Sequence, residues 1–169
     1  NAFRRIRKID ENSLLIIAPR HPHRSDEVQK LCESEGYELT RHSQANEYRD
    51  SAPVYLLDTM GELFFFYGIA DIALVAGSLV DVGGHNPMEP ASLGVPMLMG
   101  QYRRNIDDIA EQFVGSGAMK IVMNADDLFT TWKELTVNPE KKIEMGKAGL
   151  SVVQKNQGAL DRVLKGVVA

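Results

Sequence analysis

Only one cysteine, Cys32, and one tryptophan, Trp132, occur in this chain of 169 residues. A lone thiol excludes an internal disulfide, which fits a reducing compartment without proving one. Long hydrophobic runs are missing too. No apolar stretch reaches the roughly 20 residues that span a bilayer, and no secretory leader opens the chain. The first residue is Asn1 rather than methionine, so the chain reads as a piece of something longer. Excess positive charge is absent: the net charge is −4 at pH 7, which argues against non-specific nucleic-acid binding by the whole surface. The basic run Arg4-Arg5-Ile6-Arg7-Lys8 is the local exception. It reads as a solvated helix end, or as a contact with another domain or an anionic membrane.

Two phosphate-loop signatures are also lacking. No G-x-G-x-x-G follows the first expected strand, which counts against a dinucleotide oxidoreductase. No G-x-x-x-x-G-K-[ST] occurs, which counts against a nucleoside triphosphatase. His21 and His23 have no Cys or carboxylate cluster near them in sequence, so neither a metal site nor a cofactor is expected.

What is present suits one globular domain across residues 1–169, with 44% hydrophobic and 25% charged residues. Short, wholly apolar runs recur between helical patterns, as parallel strands covered on both faces do. Strands are expected at Leu14–Ala18, Tyr37–Thr40 (nearer a sheet edge), Val54–Leu57, Ile72–Val75, Val95–Met99 and Met119–Val122. Helices are expected from Ser25 or Asp26 to Glu35, from Glu62 to Ile69, and from Asp107 to Val114. The first should turn Val28, Leu31 and Cys32 inward, and the second carries a dense apolar face of Phe64, Phe65, Phe66 and Tyr67. Another should start at an Asn124 or Asp126 cap and run through Leu135. Pro139 opens a last helical region, which Gly146, Gly149 and Gly158 weaken, so the pattern leaves open whether one continuous helix runs to the C-terminus. Arg41 to Ser51 reads as a polar loop. Strands alternating with helices indicate an α/β, Rossmann-like, doubly wound parallel sheet.

The chain is organised around Ala76–Gly100, AGSLVDVGGHNPMEPASLGVPMLMG. An apolar strand breaks into Gly77, Ser78, Gly83, Gly84, His85 and Asn86, then restarts as a helix at Pro87. Asn86 is a strong N-cap type, Pro87 occupies the first helical position, and Glu89 falls at the partner position of a capping box. Asn86 and Glu89 either cap each other or serve a ligand. In the ligand reading, Gly83 and Gly84 admit it to the backbone, exposed amides hold phosphate, and Glu89 takes ribose hydroxyls. His85 donates to the same ligand or packs in the loop.

Ligands of such sheets bind beyond the carboxyl ends of the strands. Two further loops at that edge carry specific groups. In Pro19–Arg24, Arg20 can clamp a phosphate or carboxylate with two parallel bonds. In Asp58–Glu62, Gly61 permits close backbone approach and Met60 can lie against a flat base. Glu62 is otherwise a first-turn acid favoured by the helix dipole, and Cys32 a core residue.

Together, Pro19-Arg20-His21-Pro22, Asp58-Thr59-Met60-Gly61-Glu62-Leu63, and Gly77-Ser78-Leu79 leading to Gly83-Gly84-His85-Asn86-Pro87-Met88-Glu89-Pro90-Ala91 resemble the Kdo transferases. These enzymes add 3-deoxy-manno-octulosonic acid (Kdo) from CMP-Kdo to lipid A precursor in lipopolysaccharide synthesis. The resemblance runs from about Leu14 to Phe113, in order and with loop spacings kept. It implies the C-terminal, donor-binding half of a GT-B glycosyltransferase. CMP contacts would then fall on Pro19 and Arg20, on Met60, Gly61 and Glu62, and on Asn86, Pro87, Met88 and Glu89. By the same resemblance the catalytic base is a glutamate of the N-terminal half, which also carries the acceptor site and the membrane-associating surface at the cytoplasmic face of the inner membrane. No catalytic residue is expected in this chain, no nucleic acid is implied as a partner, and the isolated piece would be soluble and at most bind nucleotide. Other readings are a UDP-sugar transferase or epimerase of the same fold, or a non-catalytic scaffold.

Overall fold

The structure is a computed structural model that describes residues 2–47 and 52–167. Two compact units divide it, Phe3–Phe65 and Phe66–Ala169.

In the first unit, helix α1 (Ala2–Arg7) precedes strand β1 (Leu15–Ile17), helix α2 (Ser25–Ser34), strand β2 (Leu39–Arg41) and strand β3 (Val54–Leu56). All three strands run parallel, in the order β1-β3-β2. Central β3 is buried at Val54 and Leu56, and β2 lies at an edge, as its polar sequence suggests. Gly36, at φ +80°, ends α2 in a left-handed conformation that Cβ-bearing residues avoid. On α2, Cys32 is buried and Val28 half-buried, but Leu31 is 62% exposed, so the inner face is narrower than its spacing suggested. Burial pushes the Cys32 thiol above its ordinary range. Within the expected 41–51 loop, Arg41 closes β2 and a 3-10 segment covers His42–Glu47; residues 48–51 lie outside the described residues.

Helix α3 (Leu63–Gly68) begins one residue later than Glu62 and ends before Ile69. Its aromatic run is not a buried face. Phe64 and Phe65 are 51% and 69% exposed, and no residue of α3 is fully buried.

The second unit holds strand β4 (Ala73–Val75), helix α4 (Met88–Ser92), strand β5 (Met97–Met99), helix α5 (Asp107–Gly115), strand β6 (Met119–Ile121), helix α6 (Ala125–Val137) and helix α7 (Pro139–Val167). Its strands are parallel in the order β4-β5-β6. Alternation along β5 explains why all three of its residues are apolar. Met97 and Met99 join one cluster with Phe113, Ala110 and Val152, while Leu98 joins another with Val122, Leu135 and Met145. Both faces of β5 are therefore covered, as the central strand of a parallel sheet requires, while Leu74 of β4 is exposed on one face. Asn124 caps α6, its side-chain oxygen accepting from the amides of Asp126 at 2.9 Å and Asp127 at 3.0 Å.

The last helix answers the question its glycines left open. α7 is continuous over 29 residues despite Gly146 and Gly149. Those glycines face α4: a Cβ at Gly146 would meet the Gly94 carbonyl oxygen at 2.1 Å, and one at Gly149 would meet Ala91 at 3.6 Å. Absence of side chains lets the two backbones approach, and the contact offsets the lower helix propensity.

Candidate functional site

The carboxyl ends of neighbouring strands β1 and β3 carry the loops Pro19–Arg24 and Asp58–Glu62. Arg20 is exposed and makes no ion pair or side-chain hydrogen bond among the described residues. Nearby cations differ. Arg24 is paired with Glu27 at 2.8 Å, and Arg41 with Asp58 at 2.7 Å and Asp26 at 2.6 Å. His21 and His23 stack with ring centroids 5.4 Å apart on the exposed surface of the same loop. Pro19 is half-buried at its start.

Met60 is 72% exposed. Beside it Gly61 sits at φ +90°, with nothing within 4 Å of where a Cβ would project, so this backbone is open to an approaching ligand. The acids at either end of this loop are held from β2 and the residue pair after it. Asp58, with its side chain 3% exposed, accepts from Arg41 Nε at 2.7 Å, Ser43 N at 2.8 Å and Ser43 Oγ at 2.6 Å. Burial alone would raise Asp58, but the Ser43 hydroxyl and amide and the Arg41 guanidinium outweigh it and hold the carboxyl below its ordinary range. Glu62 accepts from the Thr59 hydroxyl through Oε2, and its Oε1 lies 3.0 Å from His42 Nε2. His42 Nδ1 lies 2.7 Å from the Tyr55 hydroxyl. The Thr59 bond first, then His42, keeps Glu62 below the usual carboxylate range. Arg41, His42 and Ser43 were not singled out from sequence. The rule that ligands gather at the carboxyl ends of strands, applied to β2 as well, would have found them.

In the second unit the loop after β4 folds back on itself. Gly84 N donates to Gly77 O at 2.7 Å, and His85 N to Ala76 O at 3.0 Å. Gly83 and Gly84 are buried, at φ +100° and +76°, against Asn105, Tyr102 and Ile106. They close the loop rather than open it to a ligand, and the Gly84 amide is occupied; the expected phosphate cradle of exposed amides is not formed at this glycine. Ser78 locks the base of the loop, its hydroxyl donating to Val75 O at 2.7 Å and accepting from Gly100 N at 2.8 Å.

At the start of α4, Pro87 rather than Asn86 holds the N-cap position and Met88 is the first helical residue; Asn86 Oδ1 accepts from Met88 N at 3.0 Å, an Asx turn that leads the chain into the helix without capping it. Glu89 does not complete a capping box: its carboxylate accepts no hydrogen bond from the Asn86 amide among the described residues, and it is exposed. It lies close enough to Tyr67 that, after burial, its charge helps raise the phenol above its ordinary range. Pro87 is fully buried, so its ring is not available to a ligand; Asn86 and Glu89 are exposed and Met88 is half-buried.

No protein-family model matches the chain. Whole-sequence comparison does find relatives. The 3-deoxy-D-manno-octulosonic acid transferase of Haemophilus influenzae is 38% identical over 90% of this chain, and that of Bordetella pertussis 31% identical over 89%. The chain spans 36% of the length of each. Among solved structures, the crystal structure of the C-terminal CMP-Kdo binding domain of WaaA from Acinetobacter baumannii is 32% identical with a TM-score of 0.85, covering 90% of this chain and 80% of that one. WaaG, a glycosyltransferase involved in lipopolysaccharide biosynthesis, shares the fold at 12% identity and a TM-score of 0.55. The α/β, Rossmann-like architecture is thus that of GT-B glycosyltransferase C-terminal domains. With 32% identity carried across 80% of a solved domain, and the same relationship recurring in two bacterial transferases, the chain belongs to the 3-deoxy-D-manno-octulosonic acid transferase family.

Proposed function

We propose that residues 1–169 form a single donor-binding domain that holds CMP-Kdo, within an enzyme that transfers Kdo to lipid A precursor during lipopolysaccharide synthesis. The acceptor and the membrane surface at the cytoplasmic face of the inner membrane engage the rest of that enzyme, as does the general base. In the reaction, a deprotonated acceptor hydroxyl attacks the anomeric carbon of Kdo while the bond to the CMP phosphate oxygen breaks. What this domain supplies is binding and orientation of the donor and stabilisation of the departing phosphate.

The observation that carries the proposal is Arg20. It is an exposed guanidinium with no anionic partner among the described residues, at the carboxyl end of β1, where neighbouring arginines are paired. A guanidinium left open there suits a phosphate or a carboxylate, both of which CMP-Kdo has. Met60 and Gly61 suit the base and the nucleoside. Glu62 and Glu89 suit hydrogen-bond donors of the ribose and base, since ionised carboxylates accept and do not donate, while Asn86, its oxygen taken by Met88 N, has its NH2 group to donate to an acceptor such as phosphate.

Titration of the chain with CMP, followed by NMR, tests the reading. Amide signals of Arg20, Gly61 and Glu89 should shift, and CMP should bind more tightly than UMP or UDP. The Arg20→Ala variant should lose about 1.5–3 kcal/mol of CMP binding, the value of a hydrogen bond to a charged group. Tighter binding of UDP would point instead to a UDP-sugar enzyme of the same fold. Unchanged CMP affinity in Arg20→Ala would remove Arg20 from the site.

A further inference from the structure

The loop carrying Met60 and Gly61 is gripped at both ends from one place. Arg41 and Ser43 hold Asp58, and His42, between them, holds Glu62. The three residues that do this are the last of β2 and the two that follow it. Between the held ends, Met60 is 72% exposed and Gly61 faces open space. A short loop anchored at both ends and exposed in the middle has little freedom in where it places its contact groups. We infer that Arg41-His42-Ser43 is a clamp that presents the Asp58–Glu62 loop to the nucleotide, with His42 as the residue that positions Glu62. The inference rests on the donor-site reading above.

The chemistry of the bonds fixes the roles. Glu62 is ionised and accepts only, so His42 Nε2 carries the proton directed at Oε1. Nδ1 then faces the Tyr55 hydroxyl, which can donate to it from 2.7 Å. Thr59 supplies the donor to Oε2. Both carboxylate oxygens are therefore oriented from within the protein, while the Glu62 side chain stays 44% exposed and His42 is only 23% exposed. A carboxylate kept ionised in this way repels phosphate. What it can take from a ligand is a hydroxyl or an amino group, so the clamp assigns this point of the site to the nucleoside rather than to the phosphate. Asp58 and Arg41 contribute to the same rigidity, their charges largely satisfied by each other.

The test combines CMP titration with imidazole NMR. In the unaltered chain, His42 should show the tautomer protonated at Nε2. His42→Leu should weaken CMP binding about tenfold, the worth of one hydrogen bond to a charged group, and should narrow the shift of Gly61 on titration. His42→Gln, which keeps a donor near the Nε2 position, should recover most of that affinity, a rescue that a purely structural role would not produce. Tyr55→Phe should leave the fold intact and the proton on Nε2, because the Glu62 carboxylate and not the Tyr55 hydroxyl places it there. Should the leucine variant fail to fold, the CMP affinity of the glutamine variant and the His42 tautomer of the unaltered chain decide the question. CMP affinity unchanged in His42→Leu, or a His42 protonated at Nδ1 alone, would overturn the clamp and leave the donor site standing. No CMP binding by the unaltered chain would overturn the donor site and the clamp with it.

Discussion

Gly146, two turns into α7, lies directly against the carbonyl oxygen of Gly94, which is only 2.1 Å from where a Cβ would stand. Gly94 itself sits at φ +70° just beyond α4, so neither side of the contact can move without disturbing a turn. Gly146→Ala gains helix propensity of about 1 kcal/mol, but its methyl group meets backbone that cannot rotate away. The net expectation is a loss of about 1–3 kcal/mol, the usual cost of overpacking. Three residues on, a Cβ at Gly149 would reach only ordinary contact with Ala91 at 3.6 Å. Gly149→Ala should therefore stabilise the chain by about 0.4–1 kcal/mol. Thermal denaturation of the two variants should move the midpoint in opposite directions; a fall for both would mean that α7 packs more closely on Ala91 than described.

Ser78 is completely buried and its hydroxyl serves two backbone groups, Val75 O and Gly100 N. In Ser78→Ala the Gly100 amide loses its acceptor in a place water does not reach. About 1–3 kcal/mol should be lost, the penalty of a buried unsatisfied donor. The amide of Gly100 should also exchange with solvent faster than those of Met97 and Met99, and retained protection at Gly100 would show that another acceptor replaces the hydroxyl.

The two variants at Gly146 and Ser78 mark what sequence could and could not disclose. The apolar runs around Ile16, Tyr55, Leu74 and Leu98 were legible as parallel strands by their hydrophobicity, which burial on both faces demands in full only at central β5. The Asn124 cap was legible because its chemistry is local: one side-chain oxygen and two amides within three residues. The continuity of α7 was not, since propensity weighs a glycine by itself and cannot see Gly94 across the packing interface. Exposure of Phe64 and Phe65 was hidden for the same reason. At the candidate site, Arg20, Met60 and Gly61 stood out by residue type and loop position. The grip of His42 on Glu62 joins residues 20 apart and had no local signature.

Glu89 separates a cap from a ligand contact. Had it closed a capping box with Asn86, Glu89→Gln would still cap, and Glu89→Ala would destabilise the helix start. Its carboxylate is exposed and makes no such bond, so Glu89→Ala should leave the thermal midpoint unchanged within about 0.5 kcal/mol, as surface substitutions do. Asn86→Ala, by contrast, removes the acceptor of Met88 N and should cost about 0.5–1.5 kcal/mol, the net worth of one hydrogen bond. If Glu89 takes hydroxyls of the donor, its alanine variant should also weaken CMP binding measured by titration. A variant that loses stability but keeps its affinity would return Glu89 to the role of a cap.

Glu134 gives a pH dependence whose sign can be worked out. Its Oε2 accepts from Lys120 Nζ at 2.6 Å and its Oε1 from Lys141 Nζ, and these two bonds, Lys120 first, bring the carboxyl down from 4.5 to about 2. A carboxyl depressed by folding stabilises the folded chain fully above its unfolded value and ceases to do so as pH falls through its folded value. The window is therefore from pH 4.5 down to about 2. With 41% of its side chain exposed, solvent screens these pairs, and the contribution is held to about 1 kcal/mol or less. Glu134→Gln should accordingly lower stability by that amount at pH 7. As the pH is brought from 4.5 to about 2, the difference between variant and unaltered chain should shrink towards zero. Denaturant unfolding at a series of pH values reads this directly. A difference that stays constant across the window would show that Glu134 acts through packing on α6 and not through its charge.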